Sequence, residues 1–292
     1  MAGMSRYKAL AITTEYWKPK DNHMQKIMDS IKGKIADKDF IVISEKAIST
    51  ALGRIVDESK IEPSTNARFI ARFWMRIMWG HFFGSLCHFR EDMIQRLRAY
   101  PIDPGSRHKQ VALAHYNLLQ ALMFGSEGGI DGSNLPYSYV SLPLNDSDEV
   151  AQAVRRHVLQ KLHKKVYVMI ADTDKTYSFG SYHFTPRPKP IRGIHSFGGV
   201  FTYVFCRMFR LRRRATPTAL AGCRMSIEQA LEIADVANHV RGYGAGKTVW
   251  DMADEFKTQL TDVTWEMLQT VRHKPIVIVR RKKVNDPNGS IG

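Results

Sequence analysis

Apolar residues fall in short β-branched runs at Tyr7 to Thr13 and Phe40 to Ser44. Between them Met24, Ile27, Met28, Ile31 and Ile35 recur at helical spacing over His23 to Ile35. The chain thus opens strand, helix, strand. Helical patterns cover Ala67 to Phe89 and Gln110 to Phe124, a short strand is expected around Tyr139 to Leu142, and Asp146 or Ser147 caps a helix reaching about Leu162. Val166 to Ala171 reads as a buried strand, Ile194 to Cys206 as another from its glycine, β-branched and aromatic content, and Pro275 to Val279 as the last. Ser226 to Val240 is a helix with a Ser-x-x-Gln capping signature, and Trp250 to Leu268 holds one or two more. The alternating prolines of Thr185-Pro-Arg-Pro-Lys-Pro forbid helix and predict an extended surface loop, a mobile flap near a site. Neither a repeat nor a composition break divides the chain, so residues 1–284 are expected to form one catalytic unit, with a disordered polar tail over 285–292.

Composition narrows the class. With 292 residues and 44% apolar content the chain can bury a core, and 43 Lys plus Arg against 28 Asp plus Glu leave +15, which favours anionic partners. Nucleic acid, phosphorylated cofactors and acidic membranes share that chemistry. Cys87, Cys206 and Cys223 are far apart and form no Cys-x-x-Cys pair, which argues against a disulfide framework or zinc site and for a reducing, cytoplasmic setting. The N-terminus does not read as a signal peptide. Arg68, Arg72 and Arg76 interrupt the one long apolar stretch, so no membrane span is expected.

Carboxylates carry the candidate chemistry. Gly125 to Asn134 (Gly-Ser-Glu-Gly-Gly-Ile-Asp-Gly-Ser-Asn) can present Asp131 on a tight turn beside Ser133 and Asn134. Asp172-Thr173-Asp174 follows the apolar run, so its acids are expected where a buried strand ends, suited to Mg²⁺ or Mn²⁺ against nucleotide phosphates. Gly242 to Thr248 ends Gly-Lys-Thr, yet Arg241 stands where a P-loop needs glycine and a helix precedes it, so it is no P-loop. The basic runs Arg207 to Arg214 and Arg280 to Lys283 are expected to be solvated surface, with nucleic acid the less favoured explanation. His88, His108, His115 and His195 show no metal-ligand spacing and are expected in the core or on the surface.

The order of these motifs resembles the coenzyme F420-0:L-glutamate ligase family, the γ-glutamyl ligases of a deazaflavin cofactor. The resemblance rests on Asp39-Phe-Ile-Val-Ile-Ser-Glu-Lys-Ala-Ile-Ser-Thr-Ala-Leu-Gly-Arg54, Gly129-Ile-Asp-Gly-Ser-Asn134, Leu142-Pro-Leu-Asn-Asp-Ser147 and Val168-Met-Ile-Ala-Asp-Thr173. It implies an α+β fold of mixed sheets and packed helices in an interwoven, two-lobed homodimer. The implied reaction uses GTP to phosphorylate a carboxylate of an anionic deazaflavin, and the amine of L-glutamate then attacks the acyl phosphate. The implied cofactors are Mg²⁺ or Mn²⁺ together with a monovalent cation, K⁺. By position, Asp131 and Asp172 are metal ligands and catalytic, Thr173 a metal or nucleotide contact, and Asn134 a GTP contact. Glu45 and Lys46 sit against the nucleotide, and Lys20, Asp21 and Asn22 occupy a loop the family writes Gly-Asp-Asp. Thr50 and Leu52 stand where the family carries lysine and glutamate, and Asp174-Lys-Thr-Tyr-Ser stands where it continues Gly-Arg. Two other readings keep the fold: a carboxylate-amine ligase with a different acceptor, or a non-catalytic nucleotide- or nucleic-acid-binding protein.

Overall fold

Phe40, Ile41, Val42 and Ile43 are all buried, which requires cover on both faces of the sheet that holds them. The computed structural model, which describes residues 6–125 and 127–282, supplies that cover with helices. The chain runs β1 (Tyr7–Thr14), α1 (His23–Ile31), β2 (Phe40–Ser44), α2 (Glu45–Ala51), β3 (Ile55–Asp57) and α3 (Thr65–Phe69). A stretch of π-helical turns, Ile70–Phe83, leads into α4 (Gly84–Leu86), α5 (Glu91–Arg98), α6 (Ile102–His115) and α7 (Leu118–Ala121). Then come β4 (Tyr139–Ser141), α8 (Ser147–Leu162), β5 (Tyr167–Phe179), β6 (Tyr182–Thr185), β7 (His195–Ser196) and α9 (Val200–Met208). Last are β8 (Arg212–Ala221), α10 (Ile227–Arg241), α11 (Val249–Phe256), α12 (Trp265–Gln269) and β9 (His273–Arg281).

The main sheet is mixed, in the order β1-β9-β2-β5-β6-β7, with β8 paired to β5. Side chains alternate across β2. Ile41 and Ile43 meet α1, α2 and α8 through Ile27, Ile31, Ile48, Val154 and Val158, while Phe40 and Val42 meet α10 through Ala230, Ile233, Ala234 and Ala237. The α10 start has the expected capping box, Ser226 with Gln229. The fold is α+β, as expected. β3 and β4 form a separate two-stranded sheet, beside which the π-helical segment and α5 to α7 pack around Trp79.

Strand β5 creates the space for a site. Its Tyr167–Ala171 part pairs in parallel with β2, its Tyr177–Phe179 part pairs with β6, and β8 runs along its length. A strand has two edges, so β2 and β6 share the one opposite β8, where the β2 ladder ends at Ala171 and the β6 ladder begins at Tyr177. On the β8 side the register slips between Asp172 and Lys175. Asp172 therefore lies at a bulge inside a continuing strand and not at a strand end as expected; such bulges re-aim side chains.

Other expectations are corrected. The first helix stops at Ile31 because Gly33 takes φ +74. The segment expected as one helix over Ala67–Phe89 is mostly π-helical, and its wider turn keeps Ala71, Met75, Trp79, Gly80 and Gly84 on the buried side. The helix expected from Gln110 begins at Ile102, since Pro104 lies in a first turn that needs no N–H, and breaks at Tyr116 before Asn117 caps α7. Ile194–Cys206 is mostly helix α9 and not strand: Val200, Tyr203, Val204 and Arg207 turn inward at helical spacing, and that periodicity overrides β propensity. The Arg207–Arg214 run is only partly surface. It enters β8, where Arg214 is buried and bonded to Glu228 and Ser178. The tail expected over 285–292 lies outside the described residues. Among the described residues, no helix is long and apolar enough to cross a membrane.

Gly105 gives a test of the helical layer. Glycine inside a helix is ordinarily improved by alanine, by roughly 0.5–1 kcal/mol. Here a Cβ would lie 2.2 Å from Cε1 of the buried Tyr100 ring, so the clash should outweigh the propensity gain. Gly105→Ala is expected to lower Tm in thermal denaturation; a rise in Tm would mean that α6 does not press on Tyr100.

Candidate functional site

Parallel pairing sets the site. Ser44 faces Ala171 in the β2–β5 register, so the next residues, Glu45 and Asp172, emerge side by side. Both are buried, and two carboxylates so placed need a cation. Arg187 provides it: Nη2 donates to Glu45 Oε2 at 2.5 Å and Nη1 to Asp172 Oδ2 at 2.9 Å. The remaining oxygens accept from backbone, Leu144 N on Glu45 and Thr173 N on Asp172. Arg187 is only 2% exposed, so the proline-flanked segment is not the expected flap. It is pinned inward, with Gln120 holding Pro186 O and Ser196 holding Arg187 O.

The glycine loop rests on this guanidinium. A Cβ at Gly129, φ +98, would lie 3.2 Å from Arg187 Cζ and Nη2, an approach that requires glycine. Beyond it, Asp131 Oδ1 accepts from Ser133 N at 2.7 Å, and Lys46 Nζ reaches Asp131 Oδ2 at 2.5 Å and Ser133 Oγ at 2.8 Å. Consecutive residues Glu45 and Lys46 thus connect the acid pair to the glycine loop. The structure brings Asp131, Asp172, Glu45, Lys46 and Thr173 together. Asn134 joins them as a tether: its amide donates to Tyr243 O and Gly246 O, and its carbonyl accepts from Ala245 N and Tyr16 Oη. Those bonds use its full capacity. Lys20 and Asp21 stand apart, with no contact to Asp131 or Asp172 among the described residues. Lys20 N bonds to Ala51 O at the end of α2, and Asp21 pairs with Lys26.

Sequence reasoning missed two arginines and one network. Arg187 lay inside a segment read only for its prolines. Arg241, read only as a missing P-loop glycine, has Nε and Nη2 shut off from solvent and unbonded among the described residues. Burial lowers it to about 10, against the pull of Asp172. The network is Glu58–His108–Glu127–Lys109. His108 bonds Glu58 Oε1 at 2.7 Å through Nδ1 and Glu127 Oε2 at 3.0 Å through Nε2, while the fully buried Lys109 bonds Glu127 Oε1 and Met123 O. Their sequence spacing carried no motif; only the fold assembles them.

Electrostatics separates the two clusters. Burial pushes the Glu45 carboxyl up and Asp172 adds to this, while Arg187 opposes both without cancelling them. Arg187 moves up: burial disfavours its charge, but Glu45 and Asp172 outweigh burial. In the network, burial alone would lower His108, yet Glu58 and Glu127 raise it to about 10. Burial would raise Glu127, yet Lys109 and His108 hold it at about 2.

Comparison with known proteins gives the family. The model of the F420-0:Gamma-glutamyl ligase family matches residues 11–281. The uncharacterized protein MJ1361 of Methanocaldococcus jannaschii is 33% identical over 293 residues, 96% of this chain and 98% of that protein. A coenzyme F420:L-glutamate ligase of Archaeoglobus fulgidus is 30% identical over 148 residues, 50% of this chain and 51% of that protein.

Removing Arg187 should be severe. Arg187→Met leaves two buried carboxylates uncompensated and is expected to cost about 3–5 kcal/mol in urea denaturation; adding Glu45→Gln and Asp172→Asn should recover most of it. A mild single change, or no recovery, would contradict the ion-pair account. The network predicts a pH dependence. His108 rises on folding from 6.5 to about 10, so its contribution is complete below pH 6.5 and is lost as pH climbs toward 10. Glu127 falls from 4.5 to about 2, so its contribution holds above pH 4.5 and is lost as pH drops toward 2. The Tm gap between the native protein and His108→Gln should therefore shrink from pH 6.5 toward 10; a constant gap counts against a charged His108.

Proposed function

The chain belongs to the F420-0:gamma-glutamyl ligase family, and from that membership we propose that it is a ligase joining L-glutamate to coenzyme F420-0 in an amide bond, driven by GTP and a divalent metal ion. The observation that carries this reading is the Glu45–Lys46 link. It brings the family-like Asp131 loop and the family-like Asp172 bulge to one place, with cations beside each acid.

The donor set suits a metal–nucleotide complex. Mg²⁺ in such sites takes one or two protein carboxylates and completes its shell with phosphates and water. Asp131 and Asp172 meet that number, with Thr173 beside them. A cluster of three or more acidic, histidine or cysteine ligands is absent among the described residues, and a metal bound with its nucleotide does not need one. Mg²⁺ or Mn²⁺ held there, with K⁺ as the monovalent partner, would neutralise charge on the transferred phosphoryl group.

The chain's own residues then have defined work. The acceptor carboxylate attacks the γ-phosphorus of GTP, GDP leaves, and the L-glutamate amine displaces phosphate from the acyl phosphate with loss of a proton. Two anions must first approach each other, so oriented cations lower the barrier. Lys46, partly exposed, is the cation able to turn from Asp131 toward phosphate. Arg241, whose Nε and Nη2 are buried without a hydrogen-bond partner among the described residues, adds fixed positive charge near Asp172. Arg187, held by two acids, acts as a positioning residue. Glu45 fixes Arg187, and Asn134 fixes the glycine loop against the Tyr243–Gly246 turn. Lys20 and Asp21 lie on the loop between β1 and α1, beside the end of α2, from where Lys20 can approach an anionic substrate. A homodimer completes the reading: Phe201, Phe205 and Phe209 line up at four-residue spacing along α9 and its C-cap and are 66%, 56% and 57% exposed, an apolar stripe suited to a second copy.

Calorimetric titration with GTP and ATP, with and without Mn²⁺, tests the nucleotide. GTP is expected to bind only with metal present. Asp131→Ala and Asp172→Ala are each expected to cut glutamate ligation about a hundredfold. Turnover and metal-dependent GTP affinity that survive both changes would show the catalytic assignment to be wrong.

A further inference from the structure

A cavity of about 150 Å³ lies between α6, the glycine loop and the start of α11. That is the size of a protein cavity that houses one aromatic ring. Tyr100, Phe124, Ile130, Val140 and Trp250 contribute to its wall, so most of what a ligand meets is flat and apolar. The rings are fixed by each other: Trp250 packs on Tyr100 and Phe124 with centroids 6.1 and 5.9 Å apart. Asp131, Ser133 and Lys247 also line the cavity, which places it directly against the proposed phosphoryl-transfer site. It continues into a wider cleft of about 720 Å³ that shares Arg107, Ser138, Trp250 and Thr261, so a ring seated inside can carry a larger substituent out.

Polar groups in such a pocket decide what enters. Glu58 and His108 line it together, and His108 holds Glu58 Oε1 at 2.7 Å. The other Glu58 oxygen has no hydrogen bond among the described residues. His108 is charged at neutral pH and thus has both nitrogens donating to carboxylates, with no acceptor capacity left for a ligand. The free acceptor of the pair is Glu58. A carboxylate held in one orientation inside an aromatic chamber selects ring N–H or amino donors and repels ring acceptors and anions.

We propose that this cavity binds a planar heteroaromatic ring bearing N–H donors, with Glu58 accepting from them and Trp250 packing on the ring face. The proposal rests on the ligase reading for its two natural sources, the guanine base of GTP and the deazaflavin ring of the acceptor. In both, the N–H sits on a six-membered ring that can occupy the cavity while the fused rings extend into the wider cleft; guanine adds an amino group beside it, and adenine lacks the ring N–H on that edge. Glu58 is then a specificity-determining residue for whichever ring is seated.

The test titrates the full-length protein with guanosine, adenosine and a deazaflavin ring lacking its phosphate chain, none of which needs the metal site. Glu58→Gln and Trp250→Leu are compared, the second because it leaves the Glu58–His108 network intact if the first disturbs folding; circular dichroism checks both. Guanosine binding that exceeds adenosine and falls at least tenfold in both variants supports the proposal with the nucleotide as source. The same pattern for the deazaflavin ring alone supports it with the acceptor as source. Failure of both rings to bind, or binding that neither variant weakens, overturns it. If that happens while Mn²⁺-dependent GTP binding persists, the pocket is wrong and the ligase reading stands. If a ring binds through Glu58 and Trp250 but no ligation occurs, the ligase reading fails and the pocket stands.

Discussion

One buried guanidinium holds the centre of this molecule together. Parallel pairing of β2 with β5 delivers Glu45 and Asp172 to the same end of the sheet, on the same side, out of water. Two carboxylates in that position repel each other and lose hydration, and both penalties grow as the dielectric falls. Arg187 satisfies both with a planar fork that a lysine could not reproduce. The loop that carries it is held rigid. Flanking prolines stiffen the backbone, Ser196 and Gln120 anchor its carbonyls, and Gly129 allows the glycine loop to lie against the guanidinium. Arg187 therefore fixes Asp172 directly and bounds the glycine loop at Gly129.

The glycine loop is fixed at three points, and each uses charge or a saturated amide. Glu127 near its start is locked by Lys109 and His108. Asp131 in its middle is held by Lys46 and Ser133. Asn134 at its end is bonded on every polar atom to the Tyr243–Gly246 turn and Tyr16. A loop of glycines has high conformational entropy, so rigid presentation of Asp131 needs such anchors on both sides. The Glu58–His108–Glu127–Lys109 network thus has a second consequence besides local stability: it links the wall of the aromatic cavity to the loop that carries Asp131.

Much of this was legible in sequence, and what was missed has common causes. Runs such as Phe40–Ser44 and Val166–Ala171 revealed their strands because hydrophobic burial is written in local order, and Ser226 with Gln229 revealed a helix start because capping is local too. Asp131, Asp172, Glu45 and Lys46 were named from motif order, and the fold does gather them. Arg187 was invisible because its partners lie 15 and 142 positions away, and no short pattern encodes an ion pair of that kind. The strand Arg212–Ala221 was hidden by its own arginines and Pro217, although Arg214 is buried. Helix α9 was misread as strand because β-branched and aromatic content was weighed above a helical period that was present.

The departures from the family pattern acquire a physical sense once charge is followed through the site. Thr50, standing where the family carries lysine, is buried and its hydroxyl bonds to Lys46 O, so position 50 contributes no cation. Positive charge instead enters from Lys46, from Arg187 on a distant loop, and from Arg241 at the end of α10. Arg187 gives both Nη atoms to two acids, whereas Lys46 is only partly buried and Arg241 leaves both Nε and Nη2 without a hydrogen bond among the described residues. The proposed reaction, in which an anionic nucleotide meets an anionic acceptor, calls for charge of both kinds, some locked to hold geometry and some left to meet substrate. Lys46, bonded to Asp131 and next in the chain to Glu45, ties the glycine loop to the acid pair and is less buried than Arg187.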